Sequence, residues 1–202
     1  MILSKHFVFI HLSKTAGEFV RAVCREHAPS EWNLHIINGH PTIDEIPEAY
    51  QSLPKLGFIR NPYSWYVSSF AYLKKRGENE VFKQLSNNGT RDFKSTLLAV
   101  FDLDLDFVES HGIGGYSWHI KHMFGEDLAA LRIGKFEELR HELLRIMNST
   151  VTLPPSFIKA VQTYPVVNAS PHDHYRSYYD DELRELVAEK DRWIFEQFGY
   201  DF

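Results

Sequence analysis

Residues 7 to 17 read Phe-Val-Phe-Ile-His-Leu-Ser-Lys-Thr-Ala-Gly, an apolar strand that runs directly into a turn carrying a lysine and a glycine. The residues that follow predict a helix from about Ala16 to His27, with Phe19, Val20 and Val23 on one face. A strand that passes through so short a turn into a helix is the opening unit of an α/β fold. The turn also has a chemical consequence. Backbone N–H groups at a helix N-terminus, together with the Lys14 ammonium, make an anion site. The order of residues is not that of a Walker loop, which needs Gly-x-x-x-x-Gly-Lys-Ser/Thr. Here Lys14 comes first and only Gly17 follows, which disfavours NTP hydrolysis.

A second strand-to-helix junction lies at residues 56 to 70, Leu-Gly-Phe-Ile-Arg-Asn-Pro-Tyr-Ser-Trp-Tyr-Val-Ser-Ser-Phe. Leu56 to Ile59 is a short apolar run, read as a buried strand. Asn61 suits the N-cap and Pro62 the first helical position. Arg60 therefore stands at the carboxyl end of the strand, beside the mouth of a helix. Ser64 and Ser68 share one face of that helix by their i,i+4 spacing.

The rest of the chain alternates in the same way. Further strands are expected at about Leu34–Ile37 and Leu131–Ile133. Helical segments are expected around Ile43–Tyr50, to about Lys75, and over Asp92–Phe101, Ser117–Phe124, Phe136–Met147 and Asp180–Phe198. Residues 77–91 are polar and read as a surface loop. Strands separated by helical patterns imply βαβ units with right-handed crossovers, hence a central parallel sheet flanked by helices in three layers. Ligands of open parallel sheets bind beyond the carboxyl ends of the strands, where both junctions fall.

The sequence Lys14-Thr15-Ala16-Gly17 after a strand resembles the 5′-phosphosulfate loop of sulfotransferases, which use 3′-phosphoadenosine 5′-phosphosulfate (PAPS) as sulfuryl donor. Arg60, Asn61-Pro62 and Ser68, eight positions after the arginine, resemble the 3′-phosphate site of the same family. Residues 132 to 139, Arg-Ile-Gly-Lys-Phe-Glu-Glu-Leu, are similar to the Arg-Phe-Glu-Asp-Leu segment of carbohydrate-type members, with Lys135 in place of the arginine. Asn168-Ala-Ser170 and the run from Tyr175 to Leu183 are similar to the family's final third, so the resemblance spans nearly the whole chain. It implies a P-loop-like fold, and transfer of a sulfuryl group from PAPS to a hydroxyl of a carbohydrate or other small acceptor. The product would be adenosine 3′,5′-bisphosphate (PAP). The implied cofactor-binding residues are Lys14, Thr15, Ala16, Gly17, Glu18, Phe19, Arg60 and Ser68. The family continues its loop with two hydroxyl residues, whereas Glu18 and Phe19 stand here. A carboxylate at that point would repel a phosphate unless it turned outward.

Lys14 is the candidate for stabilising charge on the leaving nucleotide. Of 11 histidines, His40 is the candidate general base, because Asn38-Gly39-His40-Pro41 follows the second strand; members of the family often carry a Gly-His or a glutamate there. His35, inside that strand, is the competitor. No metal site is expected, since His172, Asp173 and His174 lack a convincing third ligand.

The 202 residues, 44% hydrophobic and 24% charged, fit one catalytic domain spanning 1–202. A net charge of −5 gives no nucleic-acid footprint. Cys24 is the single cysteine, so no intrachain disulfide forms. The N-terminal apolar stretch, interrupted by Lys5 and His6, is neither a signal peptide nor a membrane span. Family members of the animal Golgi carry an anchor, so a cytoplasmic bacterial enzyme is the expectation. The alternatives are a catalytically silent nucleotide-binding member of the fold, which Glu18 keeps open, and a P-loop kinase, which the missing glycines disfavour.

Overall fold

A computed structural model describes residues 1–167 and 171–202, so the Asn168–Ser170 segment of the resemblance lies outside the described residues. The chain forms two compact units. One comprises Met1–Arg60 with the described residues of Ile120–Ala169, the other Asn61–His119 with the described residues of Ser170–Phe202.

The fold is mixed α/β. Five strands, β1 (Ile2–Leu3), β2 (Val8–Phe9), β3 (His35–Ile36), β4 (Lys55–Ile59) and β5 (Leu131–Lys135), form one sheet of order β3-β1-β2-β4-β5. Among the described residues there are ten α-helices: α1 (Gly17–His27), α2 (Pro62–Arg76), α3 (Glu80–Leu85), α4 (Phe93–Phe101), α5 (Leu105–His111), α6 (Tyr116–Phe124), α7 (Leu139–Asn148), α8 (Pro155–Thr163), α9 (Asp181–Lys190) and α10 (Arg192–Phe198). No helix among them is long and apolar enough to cross a membrane.

The sheet is mixed rather than parallel throughout. Ser4 N–H donates to Phe7 O at 3.0 Å and His6 N–H to Ser4 Oγ at 3.1 Å, a turn that sends β1 back antiparallel to β2. β1 lies between β2 and β3 and pairs antiparallel with both, which corrects the expectation of a central sheet that is parallel throughout. β2, β4 and β5 are parallel neighbours. Two antiparallel steps leave β3 running in the same direction as β2, so β2, β3, β4 and β5 all point their carboxyl ends the same way.

In the first unit, Phe9 and Phe58 from the sheet join Val20 of α1, Ile146 of α7 and Phe157 of α8 in one buried cluster. The opposite face of β4 carries Gly57, where a Cβ would come within 2.6 Å of Phe124 at the end of α6. Only a glycine admits that ring against the strand.

In the second unit, Asn61 Oδ1 accepts from Tyr63 N–H at 3.0 Å and Pro62 occupies the first helical position, as their residue types predict. The helix expected over Asp180–Phe198 breaks at Asp191. Its buried carboxylate accepts from Tyr66 Oη at 2.8 Å and from Ser117 N–H at 2.9 Å, which holds that residue out of helical register. Within the segment read as a loop, Asn79 caps α3 by accepting from Phe82 N–H at 2.7 Å, and Phe82 is buried.

Candidate functional site

Because β2, β3 and β4 run the same way, the segments leaving them gather at one end of the sheet in the first unit. β2 leads into residues 10–17, β3 into residues 37–41, and β4 ends one residue before Arg60. The proposed residues Lys14, Thr15, Ala16, Gly17, Glu18, Phe19, His40 and Arg60 thus belong to one unit. Ser68 is a buried residue of α2 in the other.

The loop has a specific backbone. Lys14 and Ala16 both adopt left-handed conformations, at φ 63° and 62°. Non-glycine residues held there cost about 1–3 kcal/mol each, and such residues cluster at ligand clamps. No side chain caps α1, and the first N–H groups of a helix have no intrahelical partners. Alternating backbone handedness ahead of such a terminus points successive N–H groups into a concavity suited to an anion. Thr15 is buried with its hydroxyl donating to Leu12 O at 2.7 Å, so it offers a phosphate its backbone N–H. Phe19 likewise has only its backbone to offer. Its ring packs edge-on against Tyr164 at 5.9 Å and beneath the Arg140 guanidinium at 5.0 Å.

Arg60 donates to Lys14 O at 3.2 Å, and its guanidinium lies 4.3 Å over the Phe136 ring. These contacts bring the two junctions read from the sequence together. Burial, and then the Arg60 charge, lower the Lys14 ammonium from 10.5 to about 8. Lys14 is therefore cationic at neutral pH, yet poised to titrate just above it.

Glu18 is paired within α1. Its carboxylate accepts from Arg21 Nη1 at 2.8 Å, and Arg21 Nη2 in turn donates to Ile37 O at 3.3 Å and to Gly39 O. The residue that departs from the family pattern is thus counter-ion to an arginine that ties α1 to the residues preceding His40.

His40 is exposed, and its Nδ1 lies 2.9 Å from His11 O. A carbonyl only accepts, so Nδ1 carries the proton and Nε2 of the neutral ring holds the lone pair. The His11 ring stands 4.5 Å from that of His40 and lies against Gly17. Burial is the main cause that lowers His11 to about 2, with the charges of His40, Arg21, the α-amine and Lys14 adding to it. A ring of such low proton affinity is no general base near neutrality. His35 is exposed within β3. His11 and Arg21 escaped the sequence reading. The Glu18–Arg21 i,i+3 spacing signals an ion pair, but nothing local reveals that Arg21 reaches residues 37 and 39.

Among the described residues no group of three or more His, Cys, Asp or Glu is placed to hold a metal ion. No family model matches the chain, and neither does any curated protein or solved structure.

Proposed function

We propose that this chain is a sulfotransferase of P-loop-like fold, moving a sulfuryl group from PAPS to a hydroxyl of a carbohydrate or other small acceptor. The observation that carries the reading is the meeting of the left-handed Lys14–Ala16 loop with Arg60 at the carboxyl ends of parallel strands. In this reading the loop N–H groups and Lys14 hold the 5′-phosphosulfate, and Arg60 forks onto the 3′-phosphate. Ser68 is assigned to the same phosphate by its sequence spacing alone.

Transfer forms a bond between the acceptor oxygen and sulfur and breaks the bond from sulfur to the bridging phosphate oxygen. His40 Nε2 takes the acceptor proton, and the bond pair leaves with PAP. Lys14 meets the charge that develops on the leaving oxygen. Because Glu18 is held by Arg21, its presence lends no support to the catalytically silent alternative. Cys24 takes no part in the reaction: burial pushes its thiol up to about 12.

Two binding experiments test the nucleotide site. Arg60→Ala should weaken PAP about 10–100-fold, the effect of losing a charged hydrogen bond, and weaken adenosine 5′-phosphate far less, through the lost bond to Lys14 O alone. Equal losses for both nucleotides would make Arg60 structural. The second is a titration with pH. The last phosphate ionisation lies near 6, so ligand charge is constant above about pH 7.5, while Lys14 loses its proton through about 8. PAP affinity should be full below that point and fall above it. Lys14→Arg, which stays charged, should flatten the profile. A flat wild-type profile from pH 7 to 9.5 would remove Lys14 from the site.

A further inference from the structure

We propose that the second unit contains a binding site for a short-chain neutral alcohol, or for the hydroxyalkyl end of a larger molecule. A cavity of about 80 Å³ lies wholly within that unit, between α2, α3 and α4, with Ile113, Gly114 and His119 completing its wall. Phe70 of α2 forms its floor with Phe82 of α3 and Phe93 of α4, at ring separations of 5.9 and 5.5 Å, and Leu97 closes one side. Ser69 stands in the same wall, and its Oγ is buried with no hydrogen-bond partner.

These features select the occupant. Among the described residues no Asp, Glu, Lys or Arg lines the cavity, so a cation entering it would find no countercharge, nor would an anion while His119 of the wall is neutral. A buried water needs two to four polar partners. The other hydroxyls in the wall are engaged, Thr96 on Asp92 O at 2.8 Å and Tyr66 on Asp191 at 2.8 Å. A molecule with one hydroxyl and an apolar body meets both demands. Its O–H donates to and accepts from Ser69, and its carbons cover the phenylalanine rings. Cavity size sets the length of that body. A cavity of about 150 Å³ holds benzene, so this one takes about three or four non-hydrogen atoms. The site owes nothing to the sulfotransferase reading, and the two stand or fall separately.

Amide chemical shifts measured during titration with propan-1-ol and, in parallel, under xenon pressure test the proposal. Propan-1-ol should give saturable shifts confined to residues of α2, α3 and α4 and to Ile113, Gly114 and His119, with a dissociation constant on the order of 1 mM. Xenon should perturb the same residues. Ser69→Ala should weaken propan-1-ol about tenfold and leave xenon unchanged, because only the alcohol uses the hydroxyl. Leu97→Trp should fill the space and abolish both responses; if circular dichroism shows that variant unfolded, Val100→Phe fills the cavity from the same helix. Shifts that never saturate, that map to other residues, or that are identical in Ser69→Ala would each overturn the proposal.

Discussion

Replacing His40 with alanine should slow sulfuryl transfer by ~10²–10⁴-fold, the usual contribution of a positioned base, while PAP affinity stays nearly unchanged. The size of the effect follows from the hydrogen bond between His40 Nδ1 and His11 O at 2.9 Å. That bond fixes the tautomer, so Nε2 is the nitrogen left with a lone pair for the proposed proton transfer. The base therefore needs no tautomer exchange before each turnover. His40 meets the loop segment at His11, three residues before Lys14, so the nucleotide titration is run beside the rate to separate a lost base from a disturbed loop. Single-turnover measurements with PAPS and a genuine acceptor give the rate, and PAP titration gives the affinity. Wild-type turnover in His40→Ala, with nucleotide binding intact, would place the base elsewhere. Absence of PAP binding in the wild-type protein would instead remove the sulfotransferase reading altogether. His35→Ala, at an exposed position within β3, serves as the control and should retain full rate.

What the sequence reveals and what it hides divide along physical lines. The junctions at Lys14 and Arg60 are legible because local signals agree: an apolar run, a capping residue, a proline at the first helical position. Their meeting is legible too, because parallel strands bring their carboxyl ends together. β1 is hidden because Ile2–Leu3 is too short to show a period, and its antiparallel pairing depends on a single turn through Ser4. The break at Asp191 is hidden because a carboxylate inside a helical pattern looks solvated. Only tertiary structure shows Tyr66 and Ser117 closing on it. Glu18 is the most instructive case. Sequence order shows a carboxylate in the first turn of α1 but not its partner Arg21, whose other contacts lie 16 and 18 residues further along the chain. Local reading finds the strand-to-helix junctions well and finds the long-range contacts around them poorly.

Gly17→Ala should destabilise the first unit by about 3 kcal/mol, at the upper end of what overpacking a core costs. A Cβ at this position would lie 1.7 Å from His11 Cδ2 and 2.1 Å from Cγ and Nε2, inside the imidazole ring. The ring cannot swing aside cheaply, since His11 is buried and faces the His40 ring at 4.5 Å. The start of α1 must then move, carrying with it the N–H groups proposed to hold the phosphosulfate, so PAP affinity should fall in the same variant. Backbone conformation is not the obstacle, because Gly17 is absent from the positive-φ residues of the chain. That distinction gives the prediction a change of sign. In a His11→Ala background the clash vanishes, and alanine is favoured over glycine in a helix by about 0.5–1 kcal/mol. Adding Gly17→Ala to His11→Ala should therefore be neutral or stabilising, with a coupling of about 3 kcal/mol across the double-mutant cycle. Urea unfolding midpoints of the four proteins, compared at unchanged m-values, measure it. If Gly17→Ala costs the same with and without His11, the tight approach of ring to helix is wrong, and with it the account of why this loop must end in glycine.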